Sequence, residues 1–332
     1  MFALVTGAGG FLGRYIVEQL LARGDRVRGL ARGEYPDLVA QGMEAYQGDI
    51  RDLRAVKSAC RGVDVVFHTA AIAGLWGPWR EFFETNVNGT SNVIAGCVAQ
   101  HVPRLVFTSS PSVTFEGVDQ CGVDESAPYP ENYLAHYPHT KAVAEETVLA
   151  ANGRDGLFTC ALRPHLIWGP RDSHLIPRLL DRAKKRKLRR VGDGKNLIDT
   201  VYVENAAEAH LLAADRLAPG SPVCGRAYFI SQGEPVNCWS WIDDILALAD
   251  LPPVKRRLSL KRALQVGSVC EALWSVLRFR SEPPMTRFLA AQLGTSHYFN
   301  IDRARQDLGY APRVSMAEGM KRLGEWLRAT RK

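Results

Sequence analysis

Short apolar runs alternate with amphipathic segments along the first 170 residues of the chain. The runs rich in β-branched and aromatic residues lie at 2–7, 27–32, 45–50, 64–71, 104–110 and 157–170. Between the first two, residues 11–24 (FLGRYIVEQLLARG) place apolar side chains at helical spacing. Strands that alternate with helices predict a parallel sheet with crossover helices. We therefore expect an α/β fold, a Rossmann-type doubly wound parallel sheet that binds ligands at the carboxyl ends of its strands.

A glycine-rich stretch, TGAGGFLG at 6–13, lies between the first predicted strand and the first predicted helix. In a dinucleotide-binding loop, Gly7 would permit the tight turn, Gly10 the approach of a pyrophosphate, and Gly13 the close packing of helix on sheet. The amino end of the helix then offers N–H groups to the phosphates. The position of the stretch between strand and helix predicts a dinucleotide-binding site.

The end of the second predicted strand favours one cofactor. An acidic residue there binds the ribose 2′-hydroxyl of NAD, whereas an arginine accommodates the 2′-phosphate of NADP. The chain reads GLARGEY, with Ala31 at the acidic position, Arg32 next and Glu34 close by. We expect NADP(H), with NAD(H) as the alternative.

Tyr137 and Lys141 stand four residues apart in LAHYPHTKAVAE. Pro138 is tolerated only in the first turn of a helix, so the stretch predicts a helix start with both side chains on one face. A neighbouring ammonium lowers the pKa of a phenol from its usual value near 10, which would make Tyr137 an acid/base group. A packed tyrosine beside a solvated lysine is the structural alternative.

The two halves of the chain have different patterns. We expect residues 1–170 to form the NAD(P)-binding domain. Helical patterns at 204–217, 239–250 and 258–279 predict that residues 171–332 form a smaller, mostly helical substrate-binding region. A late strand at 227–232 indicates that this region is interleaved with the first domain around 200–232.

Composition and charge narrow the classes of function. The net charge is +7, and much of the excess lies in two basic runs, 184–190 and 254–262. Neither run has the aromatic residues or the motif context of a nucleic-acid site, so we expect no nucleic-acid partner. The seven cysteines form no CxxC pair or Cys/His cluster, so we expect neither a metal site nor a disulfide framework. Without a basic leader or a long apolar span, the chain is expected to be cytoplasmic.

The glycine loop, FTSS at 107–110 and the Tyr137/Lys141 pair, in this order, resemble the extended short-chain dehydrogenase/reductase family. The resemblance implies that Tyr137 exchanges a proton with the substrate, that Lys141 lowers the pKa of Tyr137 and holds the nicotinamide ribose, and that Ser110 binds the substrate oxygen. It also implies a homodimer. The further cofactor contacts that it implies are made by Phe11, Leu12, Asp49, Ile50, Ala70 and Pro164, and it assigns Asn86 a supporting role.

Later segments resemble one branch of that family. SVTFEGVD (112–119), RPHLIWGPRD (163–172) and GDGKNLIDTVYVENAAEAH (192–210) are similar to the 3β-hydroxysteroid dehydrogenase branch, especially the sterol-4α-carboxylate 3-dehydrogenases. AGLWG (73–77) and SEPPMTRFL (281–289) are similar to the bacterial 2-alkyl-3-oxoalkanoate reductases of long-chain olefin synthesis. The alternatives are a non-redox nucleotide-sugar epimerase or dehydratase, and a nicotinamide-sensing module without catalysis.

Both relatives imply a bulky, apolar β-hydroxy or β-keto acid as substrate. A guanidinium would suit its carboxylate, and Arg163, Arg171 and Arg178 are equal candidates at this point. His165 is the remaining candidate, although packing is the simpler interpretation of that residue.

The segment at 258–279 has two interpretations. Its apolar residues, including Leu260, Leu264 and Leu273, recur at roughly helical spacing around Trp274. They predict either a helix packed on the substrate region or a lid or membrane-surface dock for a lipid substrate. In the second case the basic run at 254–262 would meet anionic headgroups, and the protein would be associated peripherally with a membrane.

Overall fold

The computed structural model describes residues 1–330. The strands are β1 Phe2–Thr6, β2 Arg26–Ala31, β3 Glu44–Gln47, β4 Val65–His68, β5 Arg104–Thr108, β6 Gln120–Val123, β7 Phe158–Pro164, β8 Ile167–Trp168, β9 Arg190–Val191, β10 Leu197–Ile198, β11 Val201–Tyr202, β12 Arg226–Ile230, β13 Val236–Asn237, β14 Arg257–Leu258 and β15 His297–Phe299. The α-helices are α1 Phe11–Ala22, α2 Pro36–Ala40, α3 Leu53–Ala59, α4 Trp79–Phe82, α5 Gly89–Ala99, α6 His136–Ala150, α7 Leu175–Lys184, α8 Val203–Arg216, α9 Cys238–Leu248, α10 Leu260–Val276, α11 Arg287–Gly294 and α12 Met316–Thr330.

The main sheet has seven strands in the order β12-β7-β5-β4-β1-β2-β3, and every pairing in it is parallel. Thr6 lies opposite both Leu30 and His68, so three central strands end level with one another. The loops that follow these strands therefore meet at one edge, which is where a doubly wound sheet binds its ligands. The predicted fold class is confirmed.

Alternation along the strands divides the core into two layers. Ala3 and Val5 point to one face of the sheet, where α1 and α8 pack, and Leu4 points to the other, where α3, α5 and α6 pack. Both layers are apolar because a parallel sheet between two layers of helices is buried on both faces.

The sixth predicted strand, 157–170, is two strands in the structure. The first strand ends at Pro164. Leu166 then adopts a φ of 42°, which is unfavourable for residues other than glycine. β8 then pairs with β11 outside the main sheet, and β12 takes the edge position beside β7. The late strand predicted at 227–232 is thus β12, an edge strand of the seven-stranded main sheet.

The remaining elements form a smaller unit over the carboxyl edge. A four-stranded sheet, β13-β10-β15-β6, and helices α7, α9, α10 and α12 surround a separate apolar cluster that contains Trp168, Tyr202, Trp239 and Trp241. This unit covers the edge at which the loops of the main sheet meet, so a ligand there lies between the two. Among residues 1–330, no helix is long and apolar enough to cross a membrane.

Candidate active site

A cleft of about 560 Å³ lies along the carboxyl edge of the main sheet. It contains all the residues that the sequence assigned to cofactor or catalysis: Gly7, Gly10, Phe11, Leu12, Gly13, Arg32, Asp49, Ile50, Ala70, Ser110, Tyr137, Lys141 and Pro164. These residues come from the loops after β1, β2, β3, β4, β5 and β7 and from the start of α6. The topology brings them together because all of these loops leave the same edge of the sheet.

The glycine loop has the geometry that a pyrophosphate cradle needs. Gly7 has a φ of +71°, and a Cβ there would lie 2.9 Å from Ala70 Cα. A Cβ on Gly13 would lie 2.2 Å from the carbonyl oxygen of Gly7, so any side chain would force α1 away from the loop. A side chain at either position would thus fill the cradle, and the residues present are compatible with a bound dinucleotide.

Tyr35 is a cleft residue that sequence reasoning missed. A Cβ on Gly9 would lie 1.8 Å from the Tyr35 ring, so the ring lies directly over the backbone of the glycine loop. The only sequence signal was the extra glycine of GAGG, which allows this close approach.

Two guanidinium groups line the end of the cleft near β2 and β3. Arg51 bonds the Asp49 carboxylate at 2.7 Å, and Arg32 lies near enough to contribute. These cations, Arg51 foremost, hold the pKa of Asp49 below its usual value. Arg32 is exposed, and Glu34 does not line the cleft. This end of the cleft therefore presents positive charge to a ligand.

Tyr137 lies at the second position of α6, and Pro138 lies at the third, where a proline sacrifices no helical hydrogen bond. The Tyr137 pKa is raised by burial, and the Ser110 hydroxyl opposes that rise without cancelling it. Ser110 also accepts a hydrogen bond from Ser112 N at 3.2 Å, so it caps the turn after β5 as well as facing the tyrosine. Tyr137 is thus protonated at neutral pH.

Lys141 lines the same cleft. Its ammonium donates to the Thr108 carbonyl oxygen at 2.5 Å and lies 3.9 Å from the centre of the Phe107 ring. Burial lowers the pKa of Lys141 to about 7, and Glu145 opposes that shift. Burial therefore shifts Lys141 toward its neutral form.

Asn86 connects three parts of the site. It lies in a π-helical segment, Phe83–Asn88, between α4 and α5. Its Oδ1 accepts from Ile72 N at 2.8 Å, and its Nδ2 donates to Ile72 O at 3.1 Å and to Thr140 Oγ1 at 3.0 Å. The side chain therefore fixes the loop after β4 against α6, one residue from Lys141.

The three arginines expected to bind a substrate carboxylate are each bound by a carboxylate of the protein. The pairs are Arg163–Glu145, Arg171–Glu18 and Arg178–Glu282. The Arg163 pair is buried and the Arg171 pair is bidentate, and neither arginine lines the cleft. A sequence shows the arginines but not the acids that pair with them. His165 packs in the core, with its Nε2 2.6 Å from His297 Nδ1.

The fold and the cleft define a short-chain dehydrogenase/reductase, a class that binds its nicotinamide cofactor on a Rossmann-type sheet. More closely, the chain belongs to the 3-beta hydroxysteroid dehydrogenase/isomerase family, whose sequence model matches residues 4–261. The resemblance drawn from the motifs is confirmed, and the chain is an NAD(P)-dependent oxidoreductase of this family.

Two relatives and one solved structure illustrate the match. A 2-alkyl-3-oxoalkanoate reductase of Stenotrophomonas maltophilia is 49% identical over 97% of this chain and 98% of its own length. The human decarboxylating sterol-4-alpha-carboxylate 3-dehydrogenase is 36% identical over 99% of this chain and 88% of its own length. The structure of MoeE5 with UDP-glucose and NAD has a TM-score of 0.76 at 26% identity, with complete coverage of both chains.

Burial of the Lys141 ammonium leads us to predict how the stability of the protein depends on pH. Because the native pKa of Lys141 is about 7 and its usual value is 10.5, the unfolded chain binds more protons between these values. The stability of the wild type should therefore rise with pH over this window, and the ammonium should be most destabilising below it. Lys141→Met keeps the apolar stem and should melt at a higher temperature than the wild type near about pH 6, with the difference shrinking by about pH 9. Melting temperatures at the two pH values would measure this effect.

Lys261→Met, which changes an exposed lysine on α10, is the matched control and should show no such pH-dependent difference. A Lys141→Met protein less stable than the wild type at both pH values would show that the ammonium contacts stabilise the fold.

Proposed function

We propose that the protein interconverts a secondary alcohol and a ketone on a bulky, apolar β-hydroxy or β-keto acid. The observation that carries the proposal is the meeting of Ser110, Tyr137 and Lys141 in the cleft that also contains the glycine loop. The printed names of the two relatives support the substrate class. A 2-alkyl-3-oxoalkanoate and a sterol 3-hydroxy-4-carboxylate share an oxygenated carbon β to a carboxylate and an alkyl substituent between them.

Tyr137 is the group that we assign to proton transfer at the substrate oxygen. The nicotinamide, when bound, supplies the hydride in reduction or accepts it in oxidation. Burial keeps Tyr137 protonated at neutral pH, so it can donate its proton to a ketone oxygen as that oxygen becomes an alkoxide. Ser110 has a hydroxyl beside it that can bind the same oxygen. In oxidation the proton of the substrate hydroxyl moves to Tyr137. The resulting β-keto acid can lose CO2, because the ketone oxygen stabilises the enolate that forms.

We also propose NADP(H) as the preferred cofactor. Support comes from Arg32, whose exposed side chain lies at the end of β2 and lines the cleft, and from the absence of an acidic residue at Ala31. Arg51 adds a second guanidinium at that end, although Asp49 already pairs with it. A 2′-phosphate would find positive charge there, whereas a 2′-hydroxyl needs an acceptor.

The test follows nicotinamide absorbance during turnover with NADPH and with NADH. One arm offers reduced cofactor and a 2-alkyl-3-oxo ester, which cannot decarboxylate. The other arm offers oxidised cofactor and a 3β-hydroxysteroid, either with or without a 4-carboxylate. We expect turnover with NADPH preferred, and a fall in kcat of roughly 100-fold or more in Tyr137→Phe, since that variant lacks only the proton-donating hydroxyl.

Tyr298→Phe on β15 is the control, because Tyr298 does not line the cleft and should leave kcat unchanged. Undiminished turnover in Tyr137→Phe would contradict the assigned role, and silence in both arms would support the epimerase alternative.

We propose that two copies of the chain associate through the outer faces of α5 and α6. A shallow groove of about 690 Å³ lies between these helices and is lined mainly by small and apolar side chains: Ser91, Ile94, Ala95, Val98, Ala99, Thr147, Ala150 and Ala151, with Glu146 and Arg154 at its margins. Sedimentation velocity should show twice the chain mass, and Ala95→Arg should return it to the monomer mass by placing charge in a close helix contact. A wild-type monomer would overturn the proposal.

We further propose that α10 and the residues after it bind an anionic membrane surface. Six of the ten large apolar side chains exposed among residues 1–330 lie here: Val266, Val269, Leu273, Val276, Leu277 and Phe279. The cations of the basic run, Lys255, Arg256, Arg257, Lys261 and Arg262, are all exposed close to the start of the same helix. An apolar face flanked by cations is the pattern of a helix that lies in the membrane interface.

Flotation with vesicles at low salt tests the membrane proposal. The wild type should float with vesicles that contain anionic lipid and less with neutral ones, and Leu273→Glu should reduce flotation. Val118→Glu changes an apolar side chain that is exposed elsewhere and should float like the wild type. Equal behaviour of the two variants would contradict a role for α10.

A further inference from the structure

A second groove, of about 510 Å³, adjoins the catalytic cleft. Its walls come from three parts of the chain: the loop residues Leu75, Trp76 and Gly77 with Phe82, the residues Tyr133–His136 that precede Tyr137, and the α10–α11 pair. The α10–α11 wall consists of Ser268, Glu271, Ala272, Ser275 and Arg287. The two motifs at 73–77 and 281–289 are therefore neighbours in space, although about 200 residues separate them in the sequence.

The groove lies beside the cleft along two segments of backbone. His136 lines the groove, and the next residue, Tyr137, lines the cleft. Ile72 and Ala73 line the cleft, and Leu75 and Trp76 of the same loop line the groove. The groove is therefore next to the position that a ketone at Tyr137 would occupy, within reach of a long substituent.

The groove is held in place by contacts at both of its sides. Trp76 Nε1 donates to the carbonyl oxygen of Phe279 at 3.2 Å, which joins the loop to the end of α10. On the other side, Glu271 accepts from Arg287 N at 2.7 Å and from Arg287 Nε at 2.6 Å, so the charged pair is satisfied within the protein. The base is apolar, because Leu75, Leu134 and Ala135 pack against the Phe115–Phe288 cluster.

Helix α10 offers the groove small side chains and solvent large ones. Ser268, Ala272 and Ser275 line the open groove and are themselves exposed, and Leu273 and Val276 are exposed outside it. Apart from Glu271, which is paired with Arg287, the side chains on the α10 wall are small, so the groove has room for a flexible apolar chain.

We propose that this groove binds one alkyl chain of the substrate, and that Ala272 on its α10 wall limits the length of that chain. The inference rests on the proposed function, because it places the β-carbon oxygen at Tyr137. It adds the site that recognises the hydrocarbon substituent, which the residues of the catalytic cleft do not identify.

The experiment compares two 2-alkyl-3-oxo esters, one with an ethyl and one with a decyl branch, in the wild type and in Ala272→Phe. Each methylene that the groove buries is worth about fourfold in kcat/KM. The wild type should therefore prefer the decyl ester. The phenyl ring of the variant should lower kcat/KM for the decyl ester by roughly tenfold or more, the value of about two buried methylenes, and leave the ethyl ester nearly unchanged. Leu273→Phe adds bulk on the exposed side of the same helix and should keep the wild-type ratio.

A second readout does not depend on turnover. The decyl ester should raise the melting temperature of the wild type and of Leu273→Phe more than the ethyl ester does, and Ala272→Phe should lose that extra rise. Absence of turnover with both esters, with the melting shifts as described, would overturn the proposed reaction and support the groove. An equal loss for both esters in Ala272→Phe, the same change in Leu273→Phe, or a wild type indifferent to chain length would overturn the groove.

Discussion

The buried ion pair between Glu145 and Arg163 determines where α6 lies, and the site depends on that helix. Glu145 is fully buried, Arg163 is 3% exposed, and Tyr129 donates a further hydrogen bond to Glu145 at 2.6 Å. Glu145 follows Lys141 by four residues and Tyr137 by eight, so the three side chains share the face of α6 that meets the sheet. Removing one partner from a buried pair costs about 3–5 kcal/mol, because the other charge is left without compensation. The pair thus sets the depth of Tyr137 and Lys141 in the cleft.

Several groups of the site are held in states that are unfavourable for an isolated side chain. Lys141 is buried with its ammonium against a carbonyl oxygen and an aromatic ring, and the pKa values of both Lys141 and Tyr137 are shifted toward their neutral forms. His68, between Thr6 and Thr90 beneath the loop after β4, is held neutral by burial, which lowers its pKa to about 3. These groups lower the stability of the fold, and the packing of the sheet compensates for that loss. As a consequence of their neutral forms, the cleft carries little fixed charge near the reacting atoms. Such an interior favours a reaction in which one proton moves to or from a single oxygen.

Helix α10 illustrates how one element can serve three environments. Gly267 packs so tightly on α11 that a Cβ there would lie 2.7 Å from Arg287 N. Ser268, Ala272 and Ser275 border the groove, and the large apolar side chains face outward. The packing interpretation of residues 258–279 describes the first turns of the helix, where Leu260 and Leu264 pack, and the later outward residues are exposed. The groove lies on another side of the same helix. If the outward face binds a membrane, a lipid chain would therefore have a short path to the groove.

The sequence by itself determined the sheet, the glycine loop, the helix start at Tyr137 and the family. These depend on interactions within a few residues: strand and helix periodicity, the absence of a Cβ at Gly7 and Gly13, and the tolerance of proline in a first turn. Only the tertiary structure decided which charged and apolar groups are available to a ligand. Glu18, Glu145 and Glu282 neutralise the three candidate arginines, the Lys141 ammonium contacts Thr108 and Phe107, and Tyr35 lies over Gly9. It also brought residues 73–77 and 281–289 to one groove. Such contacts join residues distant in the chain, and a pattern read along the sequence does not contain the distances between them.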